Sequence, residues 1–97
     1  MKLNRNQTSQ LRNLAHKLKP VVIIGNNGLT ENVLNEIIEQ LEHHELIKVR
    51  VNAEERDERK AMIDEVCLQG NALLVQRIGH IAVFYKPAKE PTIKLTA

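Results

Sequence analysis

The chain has 97 residues, a length typical of one domain, and its 42% hydrophobic and 27% charged residues are ordinary for a folded globular protein. No apolar run approaches the roughly 18 residues that a membrane-spanning helix needs. The N-terminal residues lead into polar sequence without the apolar core of a signal peptide. The one cysteine, Cys67, excludes an internal disulfide and fits a reducing compartment. We therefore expect a cytoplasmic protein with no membrane contact.

The net charge of +2 conceals a separation of charges along the sequence. Residues 1–25 contain five basic residues and no acidic residue, whereas residues 26–47 contain five glutamates and no Lys or Arg. From Arg77 onward the chain is basic again except for Glu90. Such blocks predict a surface with two differently charged sides, of which the basic side suits a polyanion. They are equally compatible with two solvated faces that bind nothing.

A first helix is predicted from about residue 6 to residue 18, with Thr8 or Ser9 as its N-cap. Its apolar residues recur at helical spacing; they are Leu11, Leu14, Ala15 and Leu18. Pro20 ends this helix and opens a short apolar strand over residues 21–24. A second helix is predicted from Thr30, as its cap, to about His44, with one apolar stripe and glutamates on its other faces. Those glutamates would repel RNA, so only the first turn can belong to an RNA-binding surface.

Residues 45–51 alternate as a strand does, with Lys48 and Arg50 on one face. A third helix is predicted over residues 52–69, capped by Asn52 or Asp57 and ended by Gly70. Residues 72–78 and 80–86 are predicted to form an antiparallel hairpin around Gly79. Residues 88–97 are expected to be a loosely ordered tail.

This order of elements predicts an α+β fold in a single domain over residues 1–97. Strand–helix–strand units favour parallel pairing through right-handed crossovers, and the final hairpin adds an antiparallel strand. We expect two layers, with a βαβαββ mixed four-stranded sheet, the long helices on one face and an additional N-terminal helix.

The central motif is a Gly-x-x-Gly loop between the first strand and the second helix. It consists of Gly25, Asn26, Asn27 and Gly28, followed by Leu29 and Thr30. Glycines permit backbone angles that a Cβ forbids, and the following helix aims unpaired N–H groups at the loop, so a phosphate is the expected ligand. The loop lacks the Gly-Lys-Ser/Thr of a Walker motif and the third glycine of a dinucleotide fingerprint. Taken as a bare motif, the loop is more typical of a purely structural turn than of a phosphate site.

The sequence gives little support for a metal site, a catalytic cysteine or a base-stacking surface. Four histidines are present, but no spacing with cysteines or other ligands completes a metal site, and no cofactor is expected. Cys67 lies on the apolar stripe of its helix, which favours a buried structural thiol over a nucleophile. Phe84 and Tyr85 are the only aromatic residues and are adjacent, so they cannot form a base-stacking surface on one face of a sheet. Contact with nucleic acid would then be mostly to phosphate, through Lys, Arg and loop amides.

Several motifs in this order resemble the CRM domain, named for chloroplast RNA splicing and ribosome maturation. They are residues 14–22, residues 25–30, residues 43–49, residues 75–79 and residues 84–87, which together extend over nearly the whole chain. The resemblance implies an RNA-binding fold similar to the C-terminal domain of translation initiation factor 3. Stand-alone domains of this length resemble the bacterial YhbY type, which is linked to precursors of the large ribosomal subunit.

The resemblance also implies an RNA-binding site that consists of the loop and the basic residues near it. The implied residues are Gly25, Asn26, Asn27, Gly28, Leu29, Thr30, Lys17, Lys19, Lys48, Arg50 and Lys86. Family members often have Arg where this chain has Lys86; Lys keeps the charge but loses the two-pronged hydrogen bonding of a guanidinium.

The leading hypothesis is therefore a protein without enzymatic activity that binds ribosomal RNA and helps to assemble the large ribosomal subunit. One alternative is a protein-interaction module that docks a ribosomal protein or an assembly factor through its acidic helices. An enzyme acting on a phosphate ligand is a further alternative, for which the sequence offers no candidate base.

Overall fold

The computed structural model describes residues 2–97, which form three helices and four strands. In chain order these are α1 (Arg5–Ala15), β1 (Val22–Ile24), α2 (Glu31–His44), β2 (Leu46–Val51), α3 (Arg56–Gly70), β3 (Leu73–Ile78) and β4 (Ile81–Tyr85). None of the helices in residues 2–97 is long and apolar enough to cross a membrane.

The four strands form one mixed sheet in the order β1-β2-β4-β3. β1 pairs with β2 in parallel, with Ile24 opposite Val51, and the other two pairings are antiparallel. A two-residue loop joins β3 to β4, and Gly79, its first residue, has a φ of +55°. A positive φ at the first position alone is typical of a type II′ turn, which suits the twist of a hairpin. The predicted α+β fold with a mixed four-stranded sheet is confirmed.

The main core lies between one face of the sheet and the helices α2 and α3. The sheet, α2 and α3 each bury apolar side chains there, away from water. Its buried members are Val22, Ile24, Ile37, Leu41, Ile47, Val49, Val51, Ile63, Val66, Ala72, Ala82 and Phe84. The alternation of β2, whose Ile47, Val49 and Val51 face this core, is as predicted.

A second, smaller core lies on the opposite face of the sheet, under α1. Its buried members are Leu11, Ala15, Leu46, Val75, Val83 and Tyr85, with Leu3, Ile93 and Leu95 packed against them. α1 is therefore separated from α2 and α3 by the sheet. It is only 11 residues long and covers part of its face, so the opposite end of that face stays open.

The ends of α1 differ from the prediction. The cap is Asn4 rather than Thr8 or Ser9: its Oδ1 accepts from the backbone N–H of Gln7 at 2.8 Å, and the Gln7 side chain accepts from the Asn4 N–H at 3.0 Å. This reciprocal pair is a capping box, which satisfies two N–H groups at once and outcompetes a single hydroxyl cap. The helix ends at Ala15, before Leu18, whose side chain is partly exposed.

The ends of α3 also differ from the prediction. Glu55 is its N-cap without a side-chain hydrogen bond, and Asn52 instead continues the sheet by donating its N–H to the carbonyl of Ile24 at 2.9 Å. Gly70 is the last helical residue, and Asn71, with a φ of +50°, ends the helix. Asn tolerates this left-handed conformation better than most residues, so it takes the role expected of glycine.

The buried carboxylate of Glu45 holds the C-terminal segment on the molecule. It is 2% exposed and accepts hydrogen bonds from the N–H groups of Ala88 (2.8 Å), Thr92 (2.8 Å) and Ile93 (3.0 Å), and from the Thr92 hydroxyl. Burial raises the pKa of this carboxyl, but the four hydrogen bonds outweigh burial and lower the pKa from 4.5 to about 2. Glu45 also has a φ of +60°, which is strained for a residue with a Cβ.

Residues 88–97 thus follow a defined path beside α1. Beyond the contacts with Glu45, the side-chain amide of Gln10 donates to the Lys94 carbonyl at 2.8 Å and accepts from the Thr96 N–H at 2.7 Å. The prediction that residues 88–97 are loosely ordered concerns how much the segment moves. These hydrogen bonds define where the segment lies and not how much it moves, so it stays a prediction.

We expect Glu45→Gln to lower the free energy of unfolding by about 2 kcal/mol at neutral pH, because hydrogen bonds to a charged acceptor are the stronger kind. The pKa of Glu45 is lower in the folded state, so its contribution is complete above pH 4.5 and is lost as the pH falls toward 2. Chemical denaturation over this range should show the wild type and the variant converging in acid.

The control is Glu90→Gln, which removes the same charge from an exposed position of the same tail. It should leave both the stability and its pH dependence unchanged. Equal effects of the two substitutions would contradict the assignment of Glu45 as the anchor.

Candidate functional site

The loop between β1 and α2 begins with a tight turn. The backbone N–H of Gly28 donates to the carbonyl of Gly25 at 3.0 Å, and Asn26 and Asn27 occupy the two exposed central positions. Among these four residues only Gly28 has a positive φ, +75°, as in a type I turn with glycine at the fourth position. The turn presents two amide side chains to solvent at the carboxyl end of β1.

The two glycines of the loop have different roles. Gly28 adopts a left-handed conformation that a side chain would strain, and a Cβ there would lie 3.5 Å from the Cε of Met62. Gly25 has no positive φ, so the prediction that glycine is needed for its backbone angle is wrong. A Cβ on Gly25 would meet nothing within 4 Å, and what this position provides is open space where another molecule can approach the backbone.

The start of α2 is formed as predicted. The Thr30 hydroxyl accepts from the N–H of Val33 at 3.3 Å, and the Thr30 carbonyl accepts from the N–H of Leu34 at 2.9 Å. Glu31 follows in the first turn and is exposed, so its carboxylate already complements the positive end of the helix. Binding of an anion here therefore depends on the loop and on neighbouring cations more than on the helix dipole.

Arg50 lies beside the strand that leads into the loop. It is opposite Ile23 in the β1–β2 pairing, and its Nε donates to the Oδ1 of Asn52 at 2.8 Å. Because Asn52 also binds the carbonyl of Ile24, the last residue of β1, it fixes the Arg50 side chain at the end of the sheet where the loop begins.

Lys48 and the two lysines after α1 lie farther along the same face. Lys48 is two residues before Arg50 and therefore shares its face; the carbonyl of Lys48 accepts from the N–H of Val21 at 2.9 Å. Lys17, Lys19 and Lys48 line one cavity of ≈440 Å³, whose remaining lining is mostly apolar. The structure thus brings together four of the five predicted basic residues along one face, with Arg50 at the loop and the lysines beyond it.

Lys86 lies elsewhere. It follows Tyr85, which is opposite Leu46 at the start of β2, so it lies at the end of the sheet farthest from the loop. Its backbone N–H donates to the Glu45 carbonyl at 2.8 Å. The expectation that Lys86 joins Lys48 and Arg50 is wrong, because β4 runs antiparallel to β2 and carries its last residue away from the loop.

Acidic residues are separated from this face by the sheet. Residues 2–30 and all four strands contain no Asp or Glu. Every acidic residue except Glu90 belongs to α2, to α3 or to residues that flank them, and these helices cover the opposite face of the sheet. The sheet therefore divides a basic side, formed by α1, the loop and β2, from a predominantly acidic side.

Sequence reasoning missed two features of this end of the sheet. Asn52 was interpreted as a helix cap, although its position two residues after Arg50 is the spacing at which strand side chains share a face. Arg56, Arg59 and Arg77 line a cleft of ≈320 Å³ beside the β3–β4 turn. No local sequence pattern links these arginines, since the fold alone brings the start of α3 to the end of β3.

Metal ligands and the cysteine thiol are the next candidates for chemistry. Within residues 2–97, no three His, Cys, Asp or Glu side chains are grouped so that they could hold a metal ion. Burial raises the pKa of the Cys67 thiol, and the nearby carboxylate of Asp64 raises it further. A thiol with a raised pKa is a poor nucleophile, and Cys67 packs against the main core.

Comparison with known proteins gives consistent results. Residues 3–86 match the family model described as the CRS1/YhbY (CRM) domain. A probable RNA-binding protein of Pseudomonas aeruginosa is 45% identical over 96 residues, which cover 99% of this chain and 92% of that protein. An RNA-binding protein of Haemophilus influenzae is 47% identical over 93 residues, covering 96% and 94% of the two chains.

The fold also matches a solved structure. The solution structure of a hypothetical protein from Staphylococcus aureus superimposes with a TM-score of 0.84 at 35% identity, covering 98% of this chain and all of that one. The family match includes the loop, the basic face and both cores. The chain therefore belongs to the CRS1/YhbY (CRM) domain family.

Proposed function

We propose that this protein binds RNA, without catalysing a reaction, and that its target is ribosomal RNA in precursors of the large ribosomal subunit. The observation that carries the proposal is the basic side of the sheet, where the loop, Arg50 and Lys48 lie on a surface that α1 and the strands keep free of acidic residues. A polyanion is attracted to this side and repelled from α2 and α3. The names of the relatives, which describe RNA-binding proteins, support the RNA-binding part of the proposal.

The proposed contacts are mainly to phosphate. Arg50 keeps its two terminal guanidinium nitrogens available while its Nε binds Asn52, and such a fork suits phosphate oxygens. Lys48 adds a point charge on the same face. Asn26 and Asn27 can donate their side-chain amides to phosphate or ribose, and Gly25 allows the RNA backbone to come near. Lys17 and Lys19 extend the path beyond Lys48, whereas Lys86 would be reached only by a longer RNA.

Replacing Lys48 and Arg50 together by alanine should weaken RNA binding and make it less dependent on salt. Each phosphate contact contributes about 0.7 to the slope of log affinity against log salt for a single strand, so the slope should become shallower by about 1.4. Fluorescence anisotropy over a salt series measures both quantities.

The matched control replaces Lys60 and Lys89, which are exposed and lie on α3 and in the tail, by alanine. The net charge changes by the same amount, so a general electrostatic effect would weaken binding equally in both variants. Equal weakening in the two variants would contradict the proposal that RNA binds to the face of β2 that carries Lys48 and Arg50.

The loop is tested by Asn27→Asp, which adds a negative charge with almost no change of shape. We expect RNA affinity to fall by about threefold to tenfold at low salt, with a smaller loss at high salt, because the repulsion from a nearby phosphate is screened. Asn35→Asp makes the same exchange at an exposed position of α2 and should bind RNA as the wild type does. If both variants bind equally well, the loop does not contact RNA.

The ribosomal target requires an experiment in cells. Ultraviolet cross-linking followed by sequencing of the bound RNA should recover large-subunit ribosomal RNA, and RNase treatment should release the protein from ribosomal particles. The variant lacking Lys48 and Arg50 should lose both signals. Retention on particles after RNase, with no cross-linked RNA, would instead favour a protein partner that docks on the acidic side.

A further inference from the structure

The part of the basic side that α1 leaves open carries exposed isoleucines. Ile23, Arg50, Ile81 and Ile78 are neighbours on the four strands, in the order β1-β2-β4-β3. With a strand spacing of about 4.8 Å, this row spans about 15 Å. Ile23 is 57% exposed and Ile78 is 63% exposed. Ile78 adjoins Ile81 in this row, and a contiguous exposed apolar surface often marks a binding site.

Between this row and the end of α1 lies a cleft of ≈250 Å³. Its apolar floor is formed by Ile78, Ile81 and Val83, and polar groups of His16, Lys48 and Gln76 line it as well. An apolar floor combined with a few polar groups is the usual composition of a small-ligand pocket.

A β-bulge in β3 directs the side-chain amide of Gln76 toward the cleft. The pairing of β3 with β4 shifts between Leu74, which is opposite Phe84, and Gln76, which is opposite Val83. As a result Val75, buried under α1, and Gln76 both face the same side of the sheet. Without the bulge, strict alternation would direct Gln76 toward α3. Bulges commonly redirect a side chain at a functional site, and here the redirected group is both a hydrogen-bond donor and an acceptor.

We propose that this cleft holds an unstacked nucleobase of a single-stranded RNA segment, whose phosphates pass Lys48 and Arg50 toward the Gly-x-x-Gly loop. The base face lies against Ile78 and Ile81, and the Gln76 amide binds the edge of the base. This inference rests on the proposed function and adds to it that the RNA is unpaired at this point.

The charges of the surface favour RNA over another apolar partner. The titratable groups lining the cleft are His16 and Lys48, and Arg50 lies in the same row; no acidic residue lies on α1 or on any strand. Phe84 and Tyr85 are fully buried, so neither can stack on a base. His16 is the one ring among the described residues that line the cleft, and the proposed base otherwise rests on aliphatic side chains. A paired helix keeps its bases inside, and would leave the isoleucines without a partner.

The test compares a short single-stranded RNA of mixed sequence with the same strand annealed to its complement. The wild type should bind the single strand about tenfold more tightly, as expected when a base covers the exposed part of one isoleucine side chain. Ile78→Ser should remove this preference and leave the salt slope unchanged, since no phosphate contact is lost. Ile78 is largely exposed, so the fold should remain stable, which thermal denaturation verifies.

Leu68→Ser is the matched control, because Leu68 is 75% exposed on α3 and should not affect either RNA. Gln76→Ala provides an independent measurement: it should reduce the differences in affinity among the four homopolymers. A strand that contains 4-thiouridine should photocross-link within β3 or β4 and not within α2 or α3.

The outcomes separate the two proposals. If the wild type binds single strand and duplex equally, and Ile78→Ser and Gln76→Ala bind as it does while the Lys48 and Arg50 variant is impaired, the base site is wrong and phosphate binding stands. If the wild type binds neither RNA better than a neutral control protein does, the proposed function itself is wrong.

Discussion

The parallel pairing of β1 with β2 determines the layout of the molecule. Two parallel neighbours require a crossover connection, and here α2 supplies it and covers one face of the sheet. The same pairing brings the carboxyl ends of both strands to the same end of the sheet. The loop after Ile24 therefore lies beside Asn52, the residue that fixes Arg50. The candidate site is therefore a consequence of strand direction. An antiparallel β2 would have carried Arg50 to the opposite end.

The sheet also separates the charges. Its strands contain no acidic residue, and its two faces are covered by helices of opposite character: α1, without an acid, and α2 and α3, which carry most of them. Glu45 is the exception at the boundary: it stays ionised because four hydrogen bonds from residues 88–97 stabilise its carboxylate. This carboxylate binds the backbone of the segment whose Ile93 and Leu95 pack against the smaller core.

Much of this arrangement could be predicted from the sequence, because local patterns encode it. The apolar stripe of α2, its Thr30 cap and the alternation of β2 depend on neighbours in sequence, and all three were predicted correctly. The Asn4–Gln7 capping box was also encoded locally but was overlooked in favour of Thr8 and Ser9. Gly70 was misassigned because its position at a helix end suggested a stop, whereas its neighbours in the fold are Ile38 and Leu41 of α2.

The features that escaped prediction depend on the arrangement of distant segments. Lys86 was grouped with Arg50 because both are basic strand residues, and only the direction of β4 separates them. No sequence pattern predicts the bulge that turns Gln76 toward the basic side, because Leu74, Val75 and Gln76 are typical of an ordinary strand. The side of the sheet on which α1 packs also follows from its partners, Leu46, Val75 and Val83, which lie far along the chain.

Contacts between segments that are distant in sequence form the cleft beside Gln76, where selectivity among RNAs is proposed to arise. In the proposed function, the loop amides, the Asn side chains and the nearby cations contact phosphate and ribose, which every RNA presents, so these contacts carry no sequence information. The cleft beside Gln76 combines an apolar surface with an amide that the bulge directs toward it. If both proposals hold, selection among RNAs depends on whether an unpaired base can reach that cleft while its backbone remains on Lys48, Arg50 and the loop.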